Sequence, residues 1–364
     1  MVRLFGVDYD RRELYRRVGD LSQLGGVKYY ELRDGNQKGV EALDFGTGSG
    51  LRFTVLPGRG MDISHAEYKG IPLCWRSPTG DVAPCFYEPE GLGWLRSFYG
   101  GLLVTCGLTN AGAPSEDEGL ALGLHGRISN IPARGVAFGD RWKGDECILW
   151  ARGIVREASV FGENLSLERL IEARLGGKSI HITDKVENLS FSKTPHMILY
   201  HVNIGFPVVD RGSMLIAPVL DVKPRDKEAE EGAEEYNRFS DPIPGFKEKV
   251  YYLAMKGDRD GYVYAAIVNR EFMDGEGIGV YVKYKRSQLD YFVEWKMMGE
   301  GVYVVGMEPA NCKVEGRAKM REEGTLKFLD PGEARIYELE IGVLASNSEI
   351  ASMERLINGI LEES

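Results

Sequence analysis

Few side chains in this 364-residue chain have the types and spacing for chemistry. There are five histidines, His65, His125, His181, His196 and His201, and no His-Glu-x-x-His, zinc-ligand spacing or phosphate loop. Cys74, Cys85, Cys106, Cys147 and Cys312 are scattered, with no Cys-x-x-Cys pair to suggest a zinc knuckle or a disulfide framework. What remains is side-chain acid–base chemistry, with no cofactor and no metal expected. Three stretches could carry it. "GLHGRISNIPA" (123–133) sets His125 and Arg127 between glycines, and "MILYHVNIGFP" (197–207) holds His201 and Asn203. On a strand those two share a face with Met197 and Leu199, while His196 lies on the other face with Ile198, Tyr200 and Val202. In "GVYVVGMEPANC" (301–312), Glu308 shares a face with Val302, Val304 and Gly306. A carboxyl after such an apolar run should be partly buried, and burial raises its pKa toward that of a general base. The plainer readings are a hydrogen-bonded core or surface histidine, and a glutamate that closes a strand before Pro309.

These residues need elements to hold them, and the hydrophobic period supplies the expectation. Leu165, Leu167 and Ile171, then Ile180, Ile182 and Val186, then Tyr337, Leu339 and Ile341 each alternate with polar residues. That is period two, and with 46 glycines punctuating short strands it predicts a predominantly antiparallel all-β architecture. "LDFGTGSGLRF" (43–53) resembles a nucleotide cradle at first sight, but a cradle needs a helix after its glycines. Leu51, Phe53 and Val55 alternate with Arg52 and Thr54, so the glycines are read as a hairpin turn. Helices are expected only at the edges. Asp10-x-x-Glu13 caps a short one over 10–18, and Ser346-x-x-Glu349 begins an amphipathic C-terminal helix over 347–362 whose stripe packs on the sheet. A third short helix runs through Trp94, Leu95 and Phe98. The segment 223–239, with five glutamates, is expected to be a solvated loop, with Pro224-Arg225-Asp226 kept apart as a candidate pocket border.

No linker splits the chain, so one domain over 1–364 is expected. A net charge of −10 argues against nucleic acid or an anionic membrane as partner. No apolar run is long enough to span a bilayer, and the first residues carry no secretory h-region, so a cytoplasmic protein is expected, as monomer or homodimer.

Taken together, "LPGRGMDI", "GGLLVTCGLTNAG", "LHGRISNIPA", "HVNIGFP", "PRD", "GMEPAN" and "LDPGEARIYELEIGVL" resemble the aldose 1-epimerase (galactose mutarotase-like) family, along most of the chain. The resemblance implies an antiparallel β-supersandwich, a monosaccharide substrate and no cofactor. It assigns His201 as the acid that protonates the ring oxygen, Glu308 as the base that takes the anomeric hydroxyl proton, and His125 as the upstream histidine that hydrogen-bonds the sugar. The family's substrate-binding aspartate has no clear match, and Glu248 in "FKEKVYY" is the nearest counterpart. Arg59, Asn110, Arg127 and Lys296 have two readings, sugar contact or a salt bridge on the surface. Asn203 joins them as a candidate binding residue. A carboxylate beside His201 is expected to raise its pKa and keep it protonated. Trp295, Tyr291 or Phe292 could stack on the sugar, or pack in the core. Two other functions fit the same fold: sugar binding without catalysis, and glycoside processing, which would need a carboxylate pair flanking the scissile bond.

Overall fold

The computed structural model describes residues 1–363. Strands Asn164–Arg174, Ser179–Asn188 and Ala334–Leu344 lie side by side in an eight-stranded antiparallel sheet. The period-two residues named above face inward along them, while Glu168, Lys185 and Glu338 face water. A six-stranded sheet stacks against this one. Its order is Val219–Pro224, Lys249–Met255, Tyr291–Met298, Tyr303–Ala310, Met197–Gly205 and Val104–Leu108. A five-stranded sheet from the N-terminal part completes the main core, which collects residues such as Phe45, Phe53, Ile182, Tyr200 and Val305 from all three.

Part of the outer face of the eight-stranded sheet is also covered. Helix Asn347–Glu362 lays Ile350 and Ile357 on Ala266, Val268 and Leu344 behind the eight-stranded sheet, as its stripe predicts. Its N-cap forms as read: Ser346 Oγ accepts from Glu349 N at 3.3 Å. The Asp10–Glu13 capping box is also complete, but the helix it starts is only Arg11–Tyr15, shorter than the expected 10–18. The third expected helix is a 3-10 turn, Gly93–Arg96.

The glycine stretch is a hairpin. Strands Glu41–Gly46 and Leu51–Leu56 pair with Gly46 opposite Arg52, and Thr47 N donates to Leu51 O at 3.0 Å to close the turn. Gly48 sits at φ +75°, where a side chain is strained, and its missing Cβ leaves room for Leu24 O.

The acidic segment departs from expectation. It is not a free loop: it carries the short helix Lys227–Glu230, buries Ala229 and Phe239, and offers backbone carbonyls to lysines from the sheet. Five glutamates on the outer side of a packed segment look, in sequence, like a solvated run. Among the described residues, no helix is long and apolar enough to cross a membrane.

The outer face of the six-stranded sheet positions the candidate site. Met197, Leu199, Val104, Val250 and Val293 form a second apolar cluster there, roofed by the loops around Trp94 and Phe98.

Candidate active site

Strand Met197–Gly205 is buried along its whole length, and alternation divides it as the sequence predicts. Ile198, Tyr200, Val202 and Ile204 enter the main core, while Met197 and Leu199 enter the second cluster. His201 follows the second set. Pairing with Tyr303–Ala310 sets Leu199 opposite Ala310 and Val202 opposite Met307, so the register brings His201 opposite Glu308. Two residues nearly 110 apart in sequence thus become cross-strand neighbours on one sheet face. His201 Nε2 lies 3.1 Å from Glu308 Oε1, with the side chains 6% and 3% exposed. The approach is not aligned for a hydrogen bond, and it leaves Glu308 Oε1 and His201 Nδ1 buried without partners.

Space for this carboxyl comes from Gly306. A Cβ there would stand 2.4 Å from Glu308 Oε1 and 3.1 Å from Trp295 Cβ. Glycine is therefore the residue that lets an acid and an indole share the face.

Burial dominates the electrostatics. It pushes Glu308 well above the usual carboxyl range, reinforced by nearby Glu248 and Glu294 and opposed by Arg225. His201 is held well below 6.5, first by burial and then by His125, against a side-chain contact from Asn203. The expectation that a carboxylate would keep His201 protonated is thus corrected: desolvation outweighs the neighbour and favours the uncharged form of the pair, carboxylic acid beside imidazole. This form and the carboxylate–imidazolium form carry the same single proton.

His125 reaches the same cavity from a left-handed backbone position, φ +57°. Its Nδ1 accepts from Gly112 N at 3.3 Å, which assigns the ring proton to Nε2. Protein atoms around the ring lower its pKa to about 4, so at neutral pH it is an uncharged donor. Its ring lies 5.9 Å from that of His201.

Aromatic rings wall the cavity. Trp94 stacks on Phe98 at 4.5 Å and meets His125 at 4.6 Å, and His201 lies 5.3 Å from Phe98 and 5.4 Å from Trp295. Trp75 stands 6.5 Å from Trp295. The cavity volume is about 550 Å³, within the range of small-molecule pockets.

Of the sequence-derived candidates, His201, Glu308, His125 and Glu248 line this cavity. Glu248 sits at its rim, with Oε1 3.1 Å from Arg225 Nη2 and Oε2 accepting from Trp295 Nε1 at 2.9 Å. Five others do not line it. Arg59 is fully buried and donates to three carbonyls, of Ser129, Val82 and Ser97, at 2.6 to 2.9 Å. It is neither sugar ligand nor surface salt bridge but a clamp on the loops behind Trp94. Asn110 is buried too; it donates to Gly123 O at 2.8 Å and accepts from Arg317 N at 3.2 Å, bracing the His125 loop. Arg127 is exposed and turned away. Lys296 alternates with Trp295 and so points to the opposite side of the sheet, where its Nζ donates to Glu235 O and Arg238 O. Asn203 donates to His201 O at 3.0 Å and lies beneath the histidine. Of the three rings offered for stacking, Trp295 lines the cavity, whereas Phe292 is in the main core.

The sequence reading missed Trp75 and gave Trp94 and Phe98 only a helix. Their signal was the spacing in Gly93-Trp-Leu-Arg-Ser-Phe98, with two large rings four apart in a glycine-flanked turn. Among the described residues, no group of three or more His, Cys, Asp or Glu side chains is arranged to hold a metal ion.

The stacked antiparallel sheets match the galactose mutarotase-like fold of solved structures. The chain belongs to the family described as "Domain of unknown function (DUF4432)", whose model matches residues 37–343. No functionally curated protein matches the sequence. A solved protein of Klebsiella pneumoniae, described as a "putative aldose 1-epimerase", is similar at 26% identity and a TM-score of 0.88, covering 93% of this chain and 88% of its own. A galactose mutarotase-like protein of Clostridium acetobutylicum shares the fold at 16% identity and a TM-score of 0.59, over 89% of this chain and 99% of its own. Galactose 1-epimerase of Lactobacillus acidophilus does so at 12% and 0.56, over 89% and 100%.

Proposed function

We propose that the protein is a cofactor-independent aldose 1-epimerase, exchanging the α and β anomers of a monosaccharide. The observation that carries this reading is the buried His201–Glu308 pair, 3.1 Å apart on the cavity floor with unpartnered atoms on both side chains. Ring opening needs a proton removed from the anomeric hydroxyl and another delivered to the ring oxygen. Both oxygens are bonded to the same carbon, so acid and base must lie within one side chain's width of each other. Transfer of the pair's single proton from Glu308 to His201 readies both groups. Glu308 then takes the hydroxyl proton while His201 protonates the ring oxygen, and the C1–O bond within the ring breaks. The aldehyde rotates, and reversal of both transfers closes the ring on its other face and restores the pair. His125 Nε2–H serves as a fixed donor to a sugar oxygen, and Trp295 as the surface for the apolar face of the ring.

The test is exchange NMR of anomeric protons over a panel of monosaccharides with the full chain. Exchange faster than buffer for at least one sugar is expected. Saturable binding of every bound sugar without faster exchange would replace the epimerase with a sugar-binding protein, and cleavage of an oligosaccharide would replace it with a glycoside-processing enzyme.

A further inference from the structure

The walls of the cavity say more about the sugar than its floor does. Among the described residues lining it, Arg225 is the only lysine or arginine, and it is already neutralised. Its Nε donates to Asp226 Oδ2 at 2.8 Å, and its Nη2 donates to Glu248 Oε1 at 3.1 Å. Trp295 Nε1 holds the other oxygen of Glu248, so the indole that walls the cavity also fixes the carboxylate against the guanidinium. An entering phosphate or carboxylate would meet Glu248 and would have to displace it to reach a cation.

Hydroxyl partners are also few. The wall hydroxyls of Ser77 and Thr79 contact each other at 3.0 Å, and Thr79 Oγ1 donates to Phe98 O at 3.0 Å. The four aromatic rings offer faces in place of acceptors. A sugar hydroxyl pressed against them loses its water with nothing in return, which is the penalty that lets a pocket distinguish ligands by one polar group.

Resting on the sugar reading above, we propose that the pocket selects an uncharged deoxy-aldose, and that Glu248 is the specificity-determining residue that excludes anionic sugars by occupying Arg225. A deoxy sugar offers a methyl or methylene where a hexose offers a hydroxyl, and so matches an aromatic wall. Glu248 is the acidic group at the rim whose removal would leave Arg225 paired with Asp226 alone.

The experiment is calorimetric titration of the full chain with matched sugars: D-fucose against D-galactose, L-rhamnose against L-mannose, and D-glucose against D-glucuronate and D-glucose 6-phosphate. In at least one deoxy pair the deoxy member should bind at least about tenfold more tightly, and both charged sugars should bind at least about tenfold more weakly than D-glucose. Glu248→Gln keeps an acceptor for Trp295 but leaves Arg225 paired with Asp226 alone. It should raise the ratio of glucuronate to glucose affinity at least about tenfold, and adding Arg225→Gln should abolish that gain. Charged sugars binding wild type as tightly as glucose, parent hexoses matching both deoxy sugars, or an unchanged ratio in Glu248→Gln would each overturn the proposal. Binding is read without turnover, so the two readings fail separately: deoxy preference without anomer exchange removes the epimerase alone. No binding of any sugar removes both.

Discussion

Arg169 is as deeply buried as Glu308, yet the surroundings of the two differ in kind. Arg169 lies between the sheets with Asp62 and Asp184, all three side chains fully buried. Its Nε and Nη2 reach both oxygens of Asp184 at 2.8 and 2.6 Å, Nη1 donates to Asp62 Oδ1 at 2.6 Å, and Nη2 donates to Thr105 Oγ1 at 2.8 Å. Thr105 N and Tyr200 OH supply further donors to the carboxylates, at 2.9 and 2.7 Å. The carboxylates and the guanidinium are thus engaged on every side, and the cluster joins the N-terminal sheet to the other two. One strand face away, His201 and Glu308 are pressed together with a nitrogen and an oxygen left over. Burying polar groups is costly in both places. In the first, hydrogen bonds offset the cost; in the second it persists, ready to be relieved by a ligand. Completeness of hydrogen bonding, more than burial itself, separates scaffold from site.

The largest effect should come from breaking the complete cluster. Arg169→Met would strand two aspartates in the core and should lower unfolding stability by about 3–5 kcal/mol, measured by chemical denaturation. A loss below about 1 kcal/mol would mean that the cluster is not the fastener described here. His201→Asn should leave stability near that of the wild type and lower kcat for anomer exchange at least ~10²-fold. Combined with Glu308→Gln it should be little worse than either single change, since the two groups act as a unit. Independent, multiplying losses would separate them. Gly306→Ala intrudes on Glu308 Oε1 without removing any chemical group. About a tenfold fall in kcat with an intact fold is expected, and unchanged kcat would show that the carboxyl tolerates displacement.

A smaller effect concerns pH and stability, and its sign distinguishes the two regions. Glu308 has a folded pKa above 4.5, so it does not reduce stability below pH 4.5 and reduces it progressively as pH rises from there toward the folded value, because unfolding releases a proton. Glu308→Gln removes this dependence and should melt higher than wild type at pH 7. Removing the charge of Arg169 destabilises, while removing the ionisable carboxyl of Glu308 stabilises. A lower melting temperature for Glu308→Gln would contradict the raised pKa.

Much of this was legible in the chain because period and local caps are local properties. The alternation at 165–171, 180–186 and 337–341, the hairpin after Phe45, the Asp10–Glu13 capping box and the Ser346 N-cap needed nothing beyond neighbouring residues. His201 and Glu308 were legible as polar residues on apolar strand faces, but their pairing depends on strand order, which no local pattern contains. The failures are arginine, lysine and amide side chains. Arg59 and Asn110 look in sequence like ligands because a side chain that clamps backbone carbonyls needs the same donors as one that holds a sugar. Lys296 could have been placed correctly, since a pocket-facing Trp295 forces its neighbour to the other face. The acidic segment misled because its packing rests on Ala229, Phe239 and its own carbonyls, none of which shows as charge.

The account's central claim is that Glu308 is a buried acid–base group kept at some expense to the fold. Anomer exchange by Glu308→Gln, measured by saturation-transfer NMR on the sugar that wild type turns over best, tests it most directly. Circular dichroism on the same sample should confirm that the variant is folded. Gln keeps the shape of the side chain and its hydrogen-bonding capacity but accepts no proton, so kcat should fall at least ~10²-fold while the sugar still binds. Exchange at a near-wild-type rate in the folded variant would contradict the claim.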